Sequence, residues 1–160
     1  PHGVPSDKKV ESGEFVLMDF GATYDGWHSD MTRTVCVGKP SDKMKSVYET
    51  VLTAQLTALD AVKAGMSGKA LDKIARDIIT EAGYGDNFGH SLGHGVGVEI
   101  HESPYASPSR EDILPKNSIV TVEPGIYLEG KFGVRIEDFV VVTENGCINM
   151  TKAPKELICL

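Results

Sequence analysis

The sequence lacks several features that mark specialised classes of protein. It has only three cysteines, Cys36, Cys147 and Cys159, with no C-x-x-C spacing. This excludes a disulfide framework and a zinc knuckle, and it favours a reducing, cytoplasmic location. No apolar run approaches the roughly 20 residues that a membrane span requires. Residues 1–16 alternate polar and charged groups instead of forming a signal-peptide core, so we expect no association with a membrane.

Positive charge is also scarce. The chain has 16 Lys and Arg against 23 Asp and Glu, which gives a net charge of −7. Nucleic acids and anionic membranes are bound through clusters of Lys and Arg, so neither partner is expected. With 160 residues, 41% hydrophobic and 24% charged, the composition is that of a soluble globular domain with a substantial core. The excess of acids needs another explanation.

Hydrophobic patterning in the first half of the chain predicts one hairpin followed by two helices. Residues 14–22 are apolar on both faces, which is typical of a buried strand. Asp25-Gly26 predicts a tight turn into a returning strand over 28–37. Helical spacing of apolar residues then covers 42–64 and about 68–82, and each stretch is closed by a glycine.

The second half of the chain is richer in glycine and strand formers. Residues 85–97 hold five glycines and two histidines, too many glycines for a helix interior, and predict a shaped loop or irregular strand. Residues 103–117 are polar and interrupted by proline, which predicts a surface excursion. Residues 118–142 predict a second hairpin around Glu129-Gly130-Lys131, and Asn145-Gly146 turns the chain into a short final segment.

The turn at Asp25-Gly26 fixes the register of the first hairpin. Asp19 then lies opposite Thr32, and Asp30 lies opposite Gly21. Cross-strand partners share one face of a sheet, so the two aspartates become diagonal neighbours. The glycine beside them is expected to leave room for a third group.

The second hairpin predicts a conflict of charge. A three-residue loop places Glu123 directly opposite Glu137, and like charges in this position destabilise a sheet. For any single acid in a strand, exposure to solvent or pairing with Lys or Arg is the simpler interpretation. For four acids with apolar flanks, burial without a partner would cost several kcal/mol each. Two divalent cations would balance the four carboxylates, so the pattern predicts a dinuclear metal site.

Three of the five histidines lie within twelve residues of glycine-rich chain, at His90, His94 and His101. A helical zinc-protease motif would need a glutamate where this chain has Ser91, and the glycines oppose a helix. A dinucleotide-binding loop fails as well, because its third glycine would fall on Val98. The cluster is therefore expected to line a site.

Together these residues resemble the pita-bread metallopeptidases, which comprise methionine aminopeptidase, aminopeptidase P and prolidase. The family's five metal ligands are matched, in order, by Asp19, Asp30, His94, Glu123 and Glu137. The resemblance implies an α+β fold with pseudo-twofold symmetry, in which helices flank a curved antiparallel sheet. It also implies two divalent ions, with Mn expected first and Co, Fe or Zn as alternatives.

The resemblance assigns a role to each matching position. Asp19 would bind one ion, His94 and Glu123 the other, and Asp30 and Glu137 would bridge both. A metal-bridging hydroxide would attack the peptide carbonyl, and Glu123 would carry the proton to the leaving nitrogen. Catalytic contacts to the substrate carbonyl are implied for His90 and His101. The substrate pocket would comprise His2, His90, His101, Tyr127 and Arg135.

Within the family, the segments 29–34 and 134–138 resemble the branch that acts on proline peptides. The expected activity is therefore removal of an N-terminal residue that precedes proline, as in an Xaa-Pro aminopeptidase. An Xaa-Pro dipeptidase is the close alternative, and a non-catalytic peptide-binding or protein-binding module is the alternative of another class. Arg33 falls on the face away from the metals, where it is expected to balance charge.

The resemblance also bears on domain organisation. Residues 1–160 match the family's C-terminal catalytic domain without its opening helices and without the separate N-terminal domain. We therefore expect a fragment of a longer protein, whose partners would be a proline-containing peptide substrate and, in the parent, a second copy of the chain as a homodimer.

Overall fold

The structure is a computed structural model that describes residues 1–4 and 6–160. Its two α-helices are α1 (Asp42–Ala61) and α2 (Gly68–Glu81), and a short 3₁₀ helix covers Gly85–Asn87. The strands of the described residues are β1 (Glu14–Phe20), β2 (Thr23–Tyr24), β3 (Trp27–His28), β4 (Met31–Val37), β5 (Gly93–Gly95), β6 (Glu102–Ala106), β7 (Ile119–Val122), β8 (Gly125–Leu128), β9 (Phe132–Arg135), β10 (Asp138–Val142) and β11 (Cys147–Asn149). The predicted α+β class is confirmed.

The strands of the described residues form one five-stranded sheet and three two-stranded pairs. The order in the large sheet is β11-β10-β7-β5-β6, and the pairs are β1 with β4, β2 with β3, and β8 with β9. All pairings between these strands are antiparallel. A backbone bridge between Thr32 and Glu137 joins the first hairpin to the second.

The first hairpin has the predicted register. Asp19 lies opposite Thr32, and the turn residues Asp25 and Gly26 both have positive φ, at 49° and 81°, as a two-residue hairpin turn requires. Gly21 allows the two chains to approach closely, because a Cβ atom at this position would lie 1.8 Å from the backbone oxygen of Ser29. A cavity lies beside it, lined by Asp19, Gly21 and Asp30, so the expected room for a further group is present.

Strand β1 is less buried than its composition predicts. Met18 is 38% exposed and Phe20 is 54% exposed, although both were expected in a strand buried on both faces. The reason is topological, because β1 lies outside the five-stranded sheet that packs against the helices, in a separate pair with β4. Among the described residues, its last three positions are all exposed.

The second hairpin also keeps its predicted register, but each strand is interrupted. Val122 pairs with Asp138 on one side of the interruption, and Gly125 pairs with Arg135 on the other. Glu123 and Glu137 stay level with each other, yet neither belongs to a strand. The backbone N–H of Glu137 donates to Thr32 O at 3.1 Å, and that of Glu123 donates to Leu92 O at 2.8 Å. The interruptions thus connect the hairpin to two other parts of the fold.

Both helices begin where the sequence predicts. Ser41 caps α1 by accepting the N–H of Met44, and Ser67 caps α2 by accepting the N–H of Ala70. The first helix ends at Ala61, three residues earlier than predicted, because the backbone N–H groups of the following turn donate to Thr143 O and Leu114 O. No helix in the described part of the chain is long and apolar enough to cross a bilayer.

The core lies between the two helices and the large sheet. Fully buried members include Val47, Val51, Leu71, Ile79, Leu92, Val120 and Val140. The prediction of a surface excursion over 103–117 was wrong in part. Strand β6 forms one edge of the large sheet, and Leu114 is buried in the core, so only the residues between them and those after Leu114 are largely exposed.

Candidate metal centre

The five acidic and histidine side chains that match metal ligands all line one cleft of about 240 Å³. They come from five separate segments, namely β1 (Asp19), the residue before β4 (Asp30), the middle of β5 (His94) and the two strand interruptions (Glu123 and Glu137). In a regular strand, side chains point alternately to opposite faces of the sheet. A side chain at an interruption does not have to follow this alternation. The fold therefore brings together acids that are more than a hundred residues apart in sequence.

Three of these side chains lie close enough together to hold a single ion. One oxygen of Asp30, one ring nitrogen of His94 and one oxygen of Glu137 all lie within 4.8 Å of one another. His94 Nε2 is also 3.2 Å from an oxygen of Glu123. His94 Nδ1 lies 3.0 Å from Gly95 O, and donation to this carbonyl leaves Nε2 with a lone pair that faces the acids.

Glu137 gives the clearest indication that a cation fits here. It is 1% exposed, and its Oε2 accepts a hydrogen bond of 2.6 Å from Thr32. Its Oε1 is buried without a hydrogen-bond partner among the described residues. A buried carboxylate oxygen without a partner is unfavourable unless it binds a metal or a proton, and the surrounding oxygens and imidazole are ligands that divalent ions accept.

The pKa values of the acids also favour a cation in the cleft. Burial, followed by the charge of Asp19, raises the pKa of Asp30 to about 6. Burial also raises the pKa of Glu137 well above its ordinary value, and the charges of Glu123 and Asp30 add to this effect. Burial acts on Glu123 too, but hydrogen bonds to His94 and Thr121 outweigh it and lower its pKa. Without cations, the cleft therefore favours protons on Asp30 and Glu137.

Arg135 lies among the acids as their charge partner. Its guanidinium is 2.5 Å from Asp19 Oδ2 and 3.9 Å from Glu123 Oε2, and the residue is only 2% exposed. It also donates to the hydroxyls of Tyr127 at 2.9 Å and Thr32 at 3.1 Å. Pairing with Lys or Arg, the simpler interpretation of a strand acid, thus applies to Asp19 but not to the buried Glu137.

Of the other predicted site residues, Tyr127 contacts two residues of the cleft without lining it, and the remaining ones line the same cleft. The rings of His101 and His94 meet edge to face, with centroids 4.3 Å apart. His90 Nδ1 is 2.8 Å from Ser91 O, and its Nε2 is 2.9 Å from the hydroxyl of Tyr127. His2 is exposed and lines the cleft at its mouth.

Two threonines position the acids, and the sequence interpretation gave them no role. Thr32 lies between Glu137 and Arg135, donating to the first and accepting from the second. Thr121 donates to Glu123 at 3.0 Å and accepts the backbone N–H of His94 at 3.0 Å. The sequence could have indicated both threonines. Thr32 is the cross-strand partner of Asp19, and Thr121 precedes Glu123 by two residues, so each is expected on the same face as its acid.

Helix α2 anchors the glycine-rich loop. Arg76 donates to Phe88 O at 2.8 Å and to His90 O at 2.7 Å. Its partner Asp72, which is almost fully buried, accepts two hydrogen bonds from Arg76 and one from the backbone N–H of Leu92. One ion pair on one helix face therefore fixes the chain on both sides of His90.

Solved structures share this arrangement of helices and strands. An X-Pro aminopeptidase from Thermotoga maritima MSB8 matches with a TM-score of 0.96 at 53% identity, covering 100% of this chain and 45% of that one. A Xaa-Pro dipeptidase from Bacillus anthracis matches with a TM-score of 0.98 at 54% identity, again covering 100% of this chain and 45% of that one. The fold and the cleft thus define a pita-bread metallopeptidase, as the resemblance implied.

The family follows from sequence comparison as well. The sequence model described as metallopeptidase family M24 matches residues 1–144, and the chain belongs to this family. A Xaa-Pro dipeptidase from Pyrococcus furiosus is 54% identical over 158 residues, which cover 99% of this chain and 45% of the relative. The chain therefore spans less than half the length of the relatives that it matches.

Proposed function

We propose that the protein is a metal-dependent peptidase that cleaves the bond between an N-terminal residue and a following proline. The observation that carries the proposal is the buried oxygen of Glu137, which has no hydrogen-bond partner in the part of the chain that the structure describes. The carboxyl group of Glu137 lies close to Asp30 and His94. Membership of family M24 supports metal-dependent peptide hydrolysis. The names of the relatives support proline as the residue after the scissile bond.

The metal ligands of the proposal are the five side chains that line the cleft. Asp19 would bind one ion, His94 and Glu123 the other, and Asp30 and Glu137 would share both. The oxygen-rich set suits Mn, Co or Fe, with Zn as a further candidate. When bound, such ions polarise a peptide carbonyl and lower the pKa of water.

The protein's own groups would move protons and hold the substrate. Glu123 is kept ionised by His94 and Thr121, which suits it to accept a proton from water and pass it to the prolyl nitrogen. His101 would donate a hydrogen bond to the substrate carbonyl. His90 would make a similar contact by exchanging its bond to Tyr127, and Arg135 and His2 would complete the substrate pocket.

Two forms of this activity are distinguished by substrate length. The dipeptidase form is favoured by the names of the relatives from Pyrococcus furiosus and Bacillus anthracis. The aminopeptidase form, which the sequence interpretation placed first, is favoured by the name of the Thermotoga maritima structure. We place the dipeptidase first because that name recurs among both the curated relatives and the solved structures.

The experiment compares hydrolysis of Ala-Pro and Ala-Pro-Ala by the metal-stripped protein after addition of Mn²⁺ or Co²⁺. Cleavage of Ala-Pro alone supports the dipeptidase, and cleavage of both supports the aminopeptidase. Asp30→Asn is expected to abolish either activity, because it removes one charge from the shared ligands. A variant that keeps most of the activity would refute this role for Asp30. Absence of turnover in the complete protein, together with retained peptide binding, would favour the non-catalytic module.

We further propose that residues 1–160 form the catalytic domain of a longer protein that works in a reducing compartment such as the cytoplasm. The cysteines Cys36, Cys147 and Cys159 are free thiols in the structure, which fits that environment. A homodimer of the parent protein belongs to the same proposal. Sedimentation of the parent protein, with the cysteines kept reduced, tests whether it forms a homodimer.

A further inference from the structure

Arg33 lies behind the cleft, on the face of β4 opposite to the carboxylates. Its side chain is only 8% exposed, and every nitrogen of its guanidinium donates within the protein. Nε donates to Pro154 O at 2.9 Å, Nη1 to Thr32 O at 2.8 Å and Glu137 O at 2.6 Å, and Nη2 to Asp138 Oδ1 at 2.7 Å and Ala153 O at 2.9 Å. Balance of charge alone would need only the bond to Asp138.

Two of these contacts fall on the junction of the two hairpins. Thr32 and Glu137 form the backbone bridge that joins them, and Nη1 of Arg33 contacts the carbonyl oxygen of both residues. On the other side of the same bridge, the hydroxyl of Thr32 holds the carboxylate of Glu137. Arg33 therefore braces the backbone of Glu137 from behind, while Thr32 orients its side chain from the front.

Asp138 holds the guanidinium in this position. It is fully buried, and besides Arg33 it accepts from Gln55 at 3.1 Å, Asn149 at 2.6 Å and Lys155 at 2.7 Å. The donors come from α1, β11 and the C-terminal segment, so Asp138 is fixed by elements that do not touch the cleft. Asp138 directly follows Glu137 in the sequence. An acid that lines the cleft and an acid that pairs with Arg33 are therefore neighbouring residues.

We propose that Arg33, held by Asp138, is a positioning residue for the metal centre. Its planar fork fixes the backbone of Glu137 against β4, so that the carboxylates of Asp30 and Glu137 stay at a distance that lets them share ions. The inference rests on the proposed metal site. A lysine could pair with Asp138, but its single ammonium cannot span a carboxylate and two carbonyl oxygens in one plane. The shape of the guanidinium, and not only its charge, is therefore needed.

The test compares Arg33→Lys with Arg33→Met in metal-stripped protein. Mn²⁺ affinity is measured by calorimetry, Co²⁺ coordination by visible absorption, and folding by thermal unfolding in EDTA. Arg33→Lys is expected to melt at a higher temperature than Arg33→Met, because a lysine keeps the charge of Asp138 paired. Both variants are expected to bind Mn²⁺ about 10–100-fold more weakly than the natural protein, with an altered Co²⁺ spectrum.

Leu71→Ala is the matched control, because it opens a cavity in the core beneath α2 and lowers the melting temperature without touching the junction. Its Mn²⁺ affinity is expected to match that of the natural protein. If both Arg33 variants fail to fold, Asp138→Asn replaces them in the test. It keeps an acceptor for Arg33, so an intermediate loss of Mn²⁺ affinity is expected. Natural affinity in the folded Arg33→Lys variant, or in Asp138→Asn where it is needed, overturns the positioning role. Absence of Mn²⁺ binding in the natural protein overturns the proposed function instead.

Discussion

Single hydroxyl groups decide how the acids of the cleft are oriented. Thr32 and Thr121 each contact one glutamate and one further group of the site. Such contacts orient metal ligands and restrict their motion, and outer contacts of this kind commonly change metal affinity 10–100-fold. They also separate the two glutamates chemically. Among the described residues, Glu137 keeps one oxygen without a hydrogen bond, whereas hydrogen bonds with His94 and Thr121 lower the pKa of Glu123.

Thr32→Val is expected to weaken Mn²⁺ binding about 10–100-fold, because the carboxylate of Glu137 loses its only hydrogen-bond donor in the described structure. The metal-free protein should lose about 1–3 kcal/mol of stability, since Arg135 Nε loses its acceptor as well. Calorimetry and urea unfolding measure the two effects. Thr151→Val is the control, because it removes a hydroxyl that accepts from Phe139 N but contacts no acid of the cleft. Equal Mn²⁺ affinities in the two variants would contradict the role of Thr32.

The raised pKa of Asp30 predicts a dependence of stability on pH in the metal-free protein. The pKa is about 6 in the folded state against an ordinary value of 3.8, so the folded protein keeps a proton that the unfolded chain releases. Stability therefore falls as pH rises from about 4 to about 6 and stays lower above that. Asp30→Asn removes the effect, so at pH 7 in EDTA the variant should be more stable by about 1–3 kcal/mol, with little difference near pH 4.

Urea unfolding at pH 4 and pH 7 measures this difference. Glu81→Gln is the control, because Glu81 is an exposed carboxylate at the end of α2 and its replacement should change stability little at either pH. A stabilisation by Asp30→Asn that is the same at both pH values would contradict the electrostatic explanation.

The interruptions within strands create the site, and they mark the limit of prediction from sequence. Turn chemistry at Asp25-Gly26 and the loop at 129–131 are sufficient to predict both registers, because a hairpin turn fixes which residues are opposite. The breaks at Glu123 and Ile136-Glu137 depend on backbone bonds to Leu92 and Thr32, which are distant in sequence. Pro124, which has no backbone N–H to donate, is a local signal for the first break. A local pattern contains no information about the distant partners, so both strands were expected to continue.

Helix α2 has a comparable structural role that local pattern predicts only in part. Its buried face follows from helical periodicity, but the contacts of Asp72 and Arg76 with the loop at 88–92 do not. Lys73 and Asp77 form an ion pair with the same spacing on the same helix, and both side chains are largely exposed. The two pairs have the same spacing in the sequence, with acid and base in opposite order, and the folded chain places different groups beside them.

Arg76→Met is therefore expected to destabilise the protein by about 3–5 kcal/mol, because Asp72 would be left as a buried charge without its partner. Lys73→Met, the matched control in the exposed pair, should change stability by no more than about 0.5–1 kcal/mol. Urea unfolding measures both variants, and hydrogen exchange at the Leu92 amide should speed up only in Arg76→Met. Similar losses in the two variants would contradict the anchoring role of Arg76.

Across the whole molecule, two acid-bearing hairpins meet at the bridge between Thr32 and Glu137. The resemblance to a metallopeptidase family was sufficient to predict the fold class, because five motif positions in order are a specific signal. It could not predict the brace formed by Arg33 and Asp138, whose contact spans 105 residues of sequence. The excess of acids is explained in part, since two carboxylates of the cleft, Asp30 and Glu137, favour either protons or cations.

Calorimetric titration of the metal-stripped protein with Mn²⁺ at neutral pH tests whether the cleft is a metal centre. We expect two ions to bind per chain, with release of the proton that burial favours on Glu137. In the double variant Asp30→Asn, Glu137→Gln, binding at both sites should be lost while the protein remains folded. Absence of Mn²⁺ binding to the natural protein, or undiminished binding to the folded double variant, would contradict a metal centre at these residues.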